Sequence, residues 1–351
     1  MTNSPMKIFR LSAILTALLL LLGFTSCEHK ELCFDHSHIV RVKVEYDWRD
    51  APEANPYGMC VFFYPLDPGL EPRRFDFAGL EGGYVDIEAG RYILITYNND
   101  TDGVYFRNMQ VYTDLEAFTR NGGLLESLGH RSAAPPRASG TQDERVVICP
   151  DMMWGCQAVD VTVDETGVTY THKHWETGES RVPDDPMVSE QVITLFPHEL
   201  TCIYTYEIRN VKNIQNISRM TASLSGMAGS LNLFTEELGR EPVTLPVDAW
   251  KDGDSTIRGR FITFGHHEEN PMPHKMMLYV WTNDGKAYVY GTENEKFNVT
   301  DQVHSAPDRR RVHLIIDGID IPEPLPDPDD PGAFTPGVDD WGRRIWWYQC
   351  K

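Results

Sequence analysis

Apolar and polar side chains alternate with a period of two through most of this chain. Val40, Val42, Val44 and Tyr46 alternate with Arg41, Lys43 and Glu45, which predicts a strand with one buried and one wet face. Similar short runs follow at 59–64 and 73–77, and again at 84–87 and 91–97 on either side of Glu88, Ala89 and Gly90. That last pair reads as the clearest hairpin of the first half, with Gly90 giving the turn its backbone freedom. Within it Tyr92, Leu94 and Thr96 face one way and Ile93, Ile95 and Tyr97 the other. Thr113 and Glu116 stand at capping-box spacing, which predicts a short helix.

Residues 199–232 are the centre of the pattern. Ile203, Thr205, Glu207, Arg209 and Val211 lie on one side of an extended run, with Cys202, Tyr204, Tyr206 and Ile208 on the other. The run breaks at 210–213. A second, neighbouring strand is expected through Met220, Ala222 and Leu224, leaving by the glycines at 226 and 229. Further strands are predicted at 146–149, 157–163, 168–172, 191–196, 243–247, 256–264, 275–282, 286–290, 296–300 and 311–316, with a hairpin turn at 282–285. Short strands at this spacing with almost no helix indicate an all-β chain of two tandem β-sandwich domains.

The expected divisions are a signal segment at 1–26, one sandwich at 27–165, a second at 166–319 and a tail at 320–351. Residues 129–144 are polar and rich in breakers, and read as a long exposed loop of the first domain. The tail opens with an acidic, proline-rich spacer unsuited to strand or helix, then concentrates Trp341, Trp346 and Trp347 near its end. These aromatics are expected to dock, either back onto their own domain or into a groove on a neighbour by strand addition.

Lys7 and Arg10 precede an apolar stretch at 11–24, followed at once by Thr25, Ser26 and Cys27. That order is a secretory signal with a small-residue exit, too short for the ~20 residues of a comfortable membrane span. It resembles a bacterial lipoprotein signal with Phe24 to Cys27 as the lipobox, which implies that Cys27 becomes the lipid-bearing first residue. Acyl chains there would hold a soluble domain at a membrane. Without residues 1–26 the chain has 30 basic against 52 acidic residues, a net charge of −22, which repels nucleic acid. Of the remaining cysteines Cys149 and Cys156 are closest, and read either as a disulfide or as two buried thiols.

Candidate chemistry is sparse. The sequence holds no nucleophile elbow, zinc-protease helix, phosphate loop or EF-hand. His36 with His38, His172 with His174, and the run from His266 to Glu269 each lack an identifiable third ligand, so no metal and no cofactor is expected. The paired acids at 184–185 and 339–340 fall in loops, and no pair stands out as the two acids of a glycosidase. Trp48, Trp154 and Trp175 are candidates for stacking on sugar rings or for covering the sandwich ends. The chain reads as a non-enzyme.

The lipobox at Cys27, the turn at 88–90 leading into 91–98, the segment from Cys149 to Trp154, the segment from Leu224 to Asn232 and the acidic-proline tail with Trp341 together resemble a family of Bacteroidales lipoproteins of undefined function. That family is similar to fimbrillin-like proteins, including the anchoring components of Bacteroidales fimbriae. The resemblance implies two transthyretin-like sandwiches on a lipid-anchored protein of the outer membrane, exposed at the cell surface. It also implies assembly with fimbrial subunits by strand exchange, in which shaft subunits lose an N-terminal strand and anchors keep theirs. The alternative is a surface glycan-binding lipoprotein serving nutrient uptake.

Overall fold

The computed structural model describes residues 39–129, 134–164, 170–171, 191–267, 273–323 and 347–350, with 170–171 and 347–350 as backbone. Contacts divide the chain after Ile39, and everything from Val40 onward belongs to one unit. In chain order it begins with β1 (Ile39–Tyr46), β2 (Gly58–Pro65), β3 (Arg73–Ala78), β4 (Gly82–Glu88), β5 (Gly90–Asn98), β6 (Val104–Arg107) and β7 (Glu116–Thr119). Next are β8 (Arg145–Val146), β9 (Trp154–Val163), β10 (Tyr170–Thr171), β11 (Gln191–Leu195) and β12 (His198–Glu199). The remainder is β13 (Cys202–Lys212), β14 (Ile217–Ala228), β15 (Ser230–Asn232), β16 (Pro242–Val247), β17 (Trp250–Asp252) and β18 (Thr256–Thr263), then β19 (Met276–Thr282), β20 (Ala287–Tyr290), β21 (Arg311–Asp320) and β22 (Trp347–Cys350). One short helix, α1 (Thr300–His304), stands among them in the described residues.

The fold is all-β and sandwich-like. In the first sandwich the sheet β10-β11-β1-β4 packs on β12-β9-β5-β2-β3. Val42 and Val44 of β1, Val85 and Ile87 of β4, and Ile193 and Leu195 of β11 meet Met59, Val61 and Phe63 of β2 and Tyr92 and Leu94 of β5. The even-numbered residues of β2 face the other way. Cys60, Phe62 and Tyr64 join Ile93, Ile95 and Tyr97 under a cover of Leu115, Ala117, Leu231 and Leu233. Covering on both faces is why β2 reads as an unbroken apolar run. In the second sandwich β17-β18-β13-β21 packs on β22-β20-β19-β14-β16-β8 around Tyr204, Tyr206, Leu224, Leu245, Leu278 and Leu314.

Several expected pairings are corrected. β4 and β5 are not a hairpin but lie in opposite sheets, because β5 is apolar on both faces and takes the two-sided position between β2 and β9. Gly90 has no positive φ. Its lack of a Cβ instead admits Asp67, whose Oδ2 would stand 3.2 Å from one. β13 and β14 likewise face each other across the second core rather than pairing, since the turn at Ile214–Asn216 carries the chain between sheets. Asn210 takes φ 53°, which resets the alternation and turns Val211 into the core with Ile208. The helix predicted at Thr113 is a single 3-10 turn, Tyr112–Asp114, running into β7. The strand predicted at 296–300 is a 3-10 turn, Glu295–Phe297, leading to α1. By contrast the turn at 282–285 joins β19 to β20 as an antiparallel hairpin, with Gly285 at φ 78°.

Segments cross between the two sandwiches. β11, expected in the second half, completes the first by running parallel to β1, with Val42 opposite Gln191 and Tyr46 opposite Leu195. In return, the described part of the breaker-rich stretch is no exposed loop of the first half. Leu124, Leu125 and Ala138 pack on Met277, Tyr279 and Trp281. The Tyr279 hydroxyl donates to the Pro136 carbonyl at 3.0 Å, and β8 pairs with β16. The apolar outer face of the six-stranded sheet needs a cover, and this segment supplies it.

Candidate assembly surface

Each sheet of a sandwich has two ends, and how they are finished decides where another strand can join. β1 is not at an end. It lies between β11 and β4, and the ladder to β11 continues past the strand as the Asp47 N–H donates to the Leu195 carbonyl at 2.8 Å. The Thr96 hydroxyl donates to the Cys60 carbonyl at 2.7 Å, so the Tyr46 hydroxyl 2.9 Å away is the donor to Thr96. Burial pushes the Tyr46 phenol well above its usual range, so it remains a donor. Outside, Arg41 grips Asp86 of β4 with two hydrogen bonds at 2.9 and 3.1 Å, holding that carboxyl below the usual range.

The ends differ in how they are guarded. β3 closes the five-stranded sheet with Arg73, Arg74 and Asp76 outward, the charged kind of edge. β21 closes the second four-stranded sheet, and there α1 blocks the edge. The Gln302 amide donates to the Ile315 carbonyl at 2.9 Å and accepts from the Ile315 N–H at 2.7 Å, as a partner strand would. Nothing in the sequence pattern marked Gln302, because its role depends on a helix hidden behind a strand-like run.

The six-stranded sheet ends in the tail itself. β22 runs parallel to β20, with Ala287 opposite Trp347 and Tyr290 opposite Cys350. The backbone of Trp347–Cys350 thus pairs within its own chain. Trp341 and Trp346 lie outside the described residues, as do Cys27 and Trp175.

The remaining candidates are placed as follows. Cys149 and Cys156 are free thiols, so of the two alternatives the disulfide is set aside. Cys149 bonds the Pro246 carbonyl beside the second core at 3.3 Å, while Cys156 points from β9 into the first core, so the two belong to different sandwiches. Burial pushes the Cys149 thiol up to about 12 and Cys156 further, which makes both inert. Trp154 opens β9, its N–H bonded to Asn98 at 2.8 Å. Trp48 covers one end of the first core and donates to the Leu80 carbonyl at 2.8 Å. A shallow surface recess, lined by Arg137, Thr141, Ser225, Lys275 and Tyr279, encloses no ligand-sized cavity and includes neither Trp48 nor Trp154.

Likenesses to known proteins bear on this architecture. The model of a family described as a domain of unknown function, DUF5119, matches residues 26–248. A protein of Bacteroides ovatus named as a candidate fimbrium anchoring subunit, Fim4B, is 21% identical over 354 residues, covering 92% of this chain and 93% of its own. A crystal structure of a candidate adhesin from Bacteroides ovatus superposes with a TM-score of 0.55 at 16% identity, over 86% of this chain and 99% of that one, which shows a shared fold. The fimbrial anchor protein Mfa2 of Porphyromonas gingivalis is more distant, with a TM-score of 0.44 at 14% identity over 79% of this chain and 90% of its own.

Proposed function

The chain belongs to the DUF5119 family, and from that premise we propose that it is a lipid-anchored cell-envelope protein serving as the anchor or a minor subunit of a fimbria. The observation that carries this is the likeness to Fim4B, which runs through nearly the full length of both chains. The lipobox at Cys27 stands only twelve positions before β1, so a lipid there would tether the first sandwich close to the outer membrane. β1 is present, paired on both sides and packed in the core, the condition expected of a subunit that ends a fibre rather than extends it. The partner strand of the next subunit then has the sheet ends to join, of which β3 carries charge and β21 is blocked by Gln302. The role is structural, not catalytic. We take the two sandwiches as the two domains, with their division moved from the expected 165/166 to the link between β11 and β13.

The test is a pull-down of surface material with the full-length lipidated protein beside Cys27→Ala. Co-purification of β-rich subunits as a heat-resistant ladder, with the variant lost from the membrane fraction, supports the anchor. A clean monomer from both, or membrane retention of Cys27→Ala, overturns it.

A further inference from the structure

Three histidines far apart in sequence meet where the exit of β18, the entry to β19 and the end of α1 converge. His274 is fully buried, and its Nδ1 stands 3.2 Å from the Ser225 carbonyl oxygen. That oxygen can only accept, so Nδ1 carries the proton and Nε2 presents a bare lone pair. The Nε2 of His304, an exposed residue, lies 3.2 Å from it. His266, 8% exposed, is turned by a 2.6 Å hydrogen bond between its Nδ1 and the Tyr204 hydroxyl. The three rings are mutually adjacent, with centroids 5.1 Å apart for His266–His304 and His274–His304 and 5.5 Å for His266–His274.

Two imidazole nitrogens bound at 2.0–2.1 Å to one tetrahedral ion stand about 3.3 Å apart. The 3.2 Å between His274 and His304 fits that spacing. We propose that His266, His274 and His304 form a binding site for a zinc-class divalent transition-metal ion. His274 and His304 bind through Nε2, His266 turns its Nε2 edge inward as third ligand, and water completes the tetrahedron. As the rings stand, no three donors among the described residues are gathered closely enough to hold an ion, so His266 must move on binding. Without the ion, the His304 Nε2–H donates to His274.

The surroundings are shaped for the buried ring. Glu144 accepts from the Gly226 N–H at 3.1 Å and from the Thr244 hydroxyl at 2.7 Å, which pins the β14 bulge whose Ser225 carbonyl orients His274. A carbonyl behind a ligating imidazole is the usual support of a metal-bound histidine. Gly226 takes φ 77°, and a Cβ there would lie 2.9 Å from His274 Nδ1, so the backbone is fitted to the ring. His267 takes no part. Its Nε2 contacts the Gly239 carbonyl at 2.8 Å, as adjacent residues on extended chain point opposite ways.

The test is calorimetric titration of the tag-free, lipidated full chain in detergent with zinc chloride. The parent is compared with His304→Ala, an exposed position whose loss leaves the fold intact, and with His267→Ala. Saturable binding that weakens at least tenfold in His304→Ala and is unchanged in His267→Ala supports the site. The visible spectrum of a tetrahedral Co²⁺ complex, seen in the parent and absent from His304→Ala, would identify the ligands. No saturable binding, equal binding by His304→Ala, or a loss confined to His267→Ala overturns the proposal.

Discussion

β1 and β22 come from opposite ends of the described chain, and both are paired in parallel, yet they are held differently. β1 has β11 on one side and β4 on the other, and sets Val42 and Val44 fully buried in the first core. Among the described residues β22 finishes a sheet and meets β20 alone. A strand bordered twice and packed on a core is part of what must fold. A strand at an edge adds one ladder of hydrogen bonds, each worth about 1 kcal/mol net. The two ends thus show where the chain is committed and where it can be opened.

The sharpest way to break this contrast is Val44→Asp. Placing a carboxylate at a fully buried position is expected to cost at least about 3 kcal/mol in urea unfolding or to prevent folding outright. A cost under about 1 kcal/mol would mean that β1 is dispensable. Truncation after Glu323, which removes β22, is expected to leave the far-ultraviolet β signature in place and to lower the thermal midpoint by a few degrees. A loss equal to that of Val44→Asp would erase the difference between the strands. Tyr46→Phe deletes the hydrogen bond that β1 sends across the core to Thr96, and about 1 kcal/mol of stability should go with it in the same unfolding assay. Arg41→Ala should leave the unfolding midpoint unchanged, because its pair with Asp86 is exposed. Asp86, no longer held down, should titrate closer to the ordinary carboxylate value by NMR.

Strand positions were legible in the sequence because a buried face writes itself as a period of two, as in β1, β5 and β13. Partners were not. Val85 and Ile87 of β4 and Tyr92 and Leu94 of β5 announce which side is buried, but the same pattern serves a hairpin and a pair facing each other across a core. The parallel match of β1 with β11 leaves no local mark, since no tight turn joins the two. At Thr113 the capping-box spacing was real, but the following Ala117 and Phe118 were drawn into a strand beside β6 and β15. Of the histidines, the sequence offered His266 and its neighbours as a group. The partners of His266 lay 8 and 38 positions onward, brought in by β18, β19 and α1 rather than by spacing.

The pairing of β1 with β11 also sets an order of events. Val42 and its partner Gln191 are about 150 residues apart, so a chain delivered from its N-terminus presents β1 long before the strand that completes it arrives. Through that interval Val42, Val44 and Tyr46 form an unmatched apolar strand, open to mispairing with any other chain nearby. Maturation of the first sandwich is therefore gated by the emergence of Leu195, and a factor that shields extended apolar chain would act in that window.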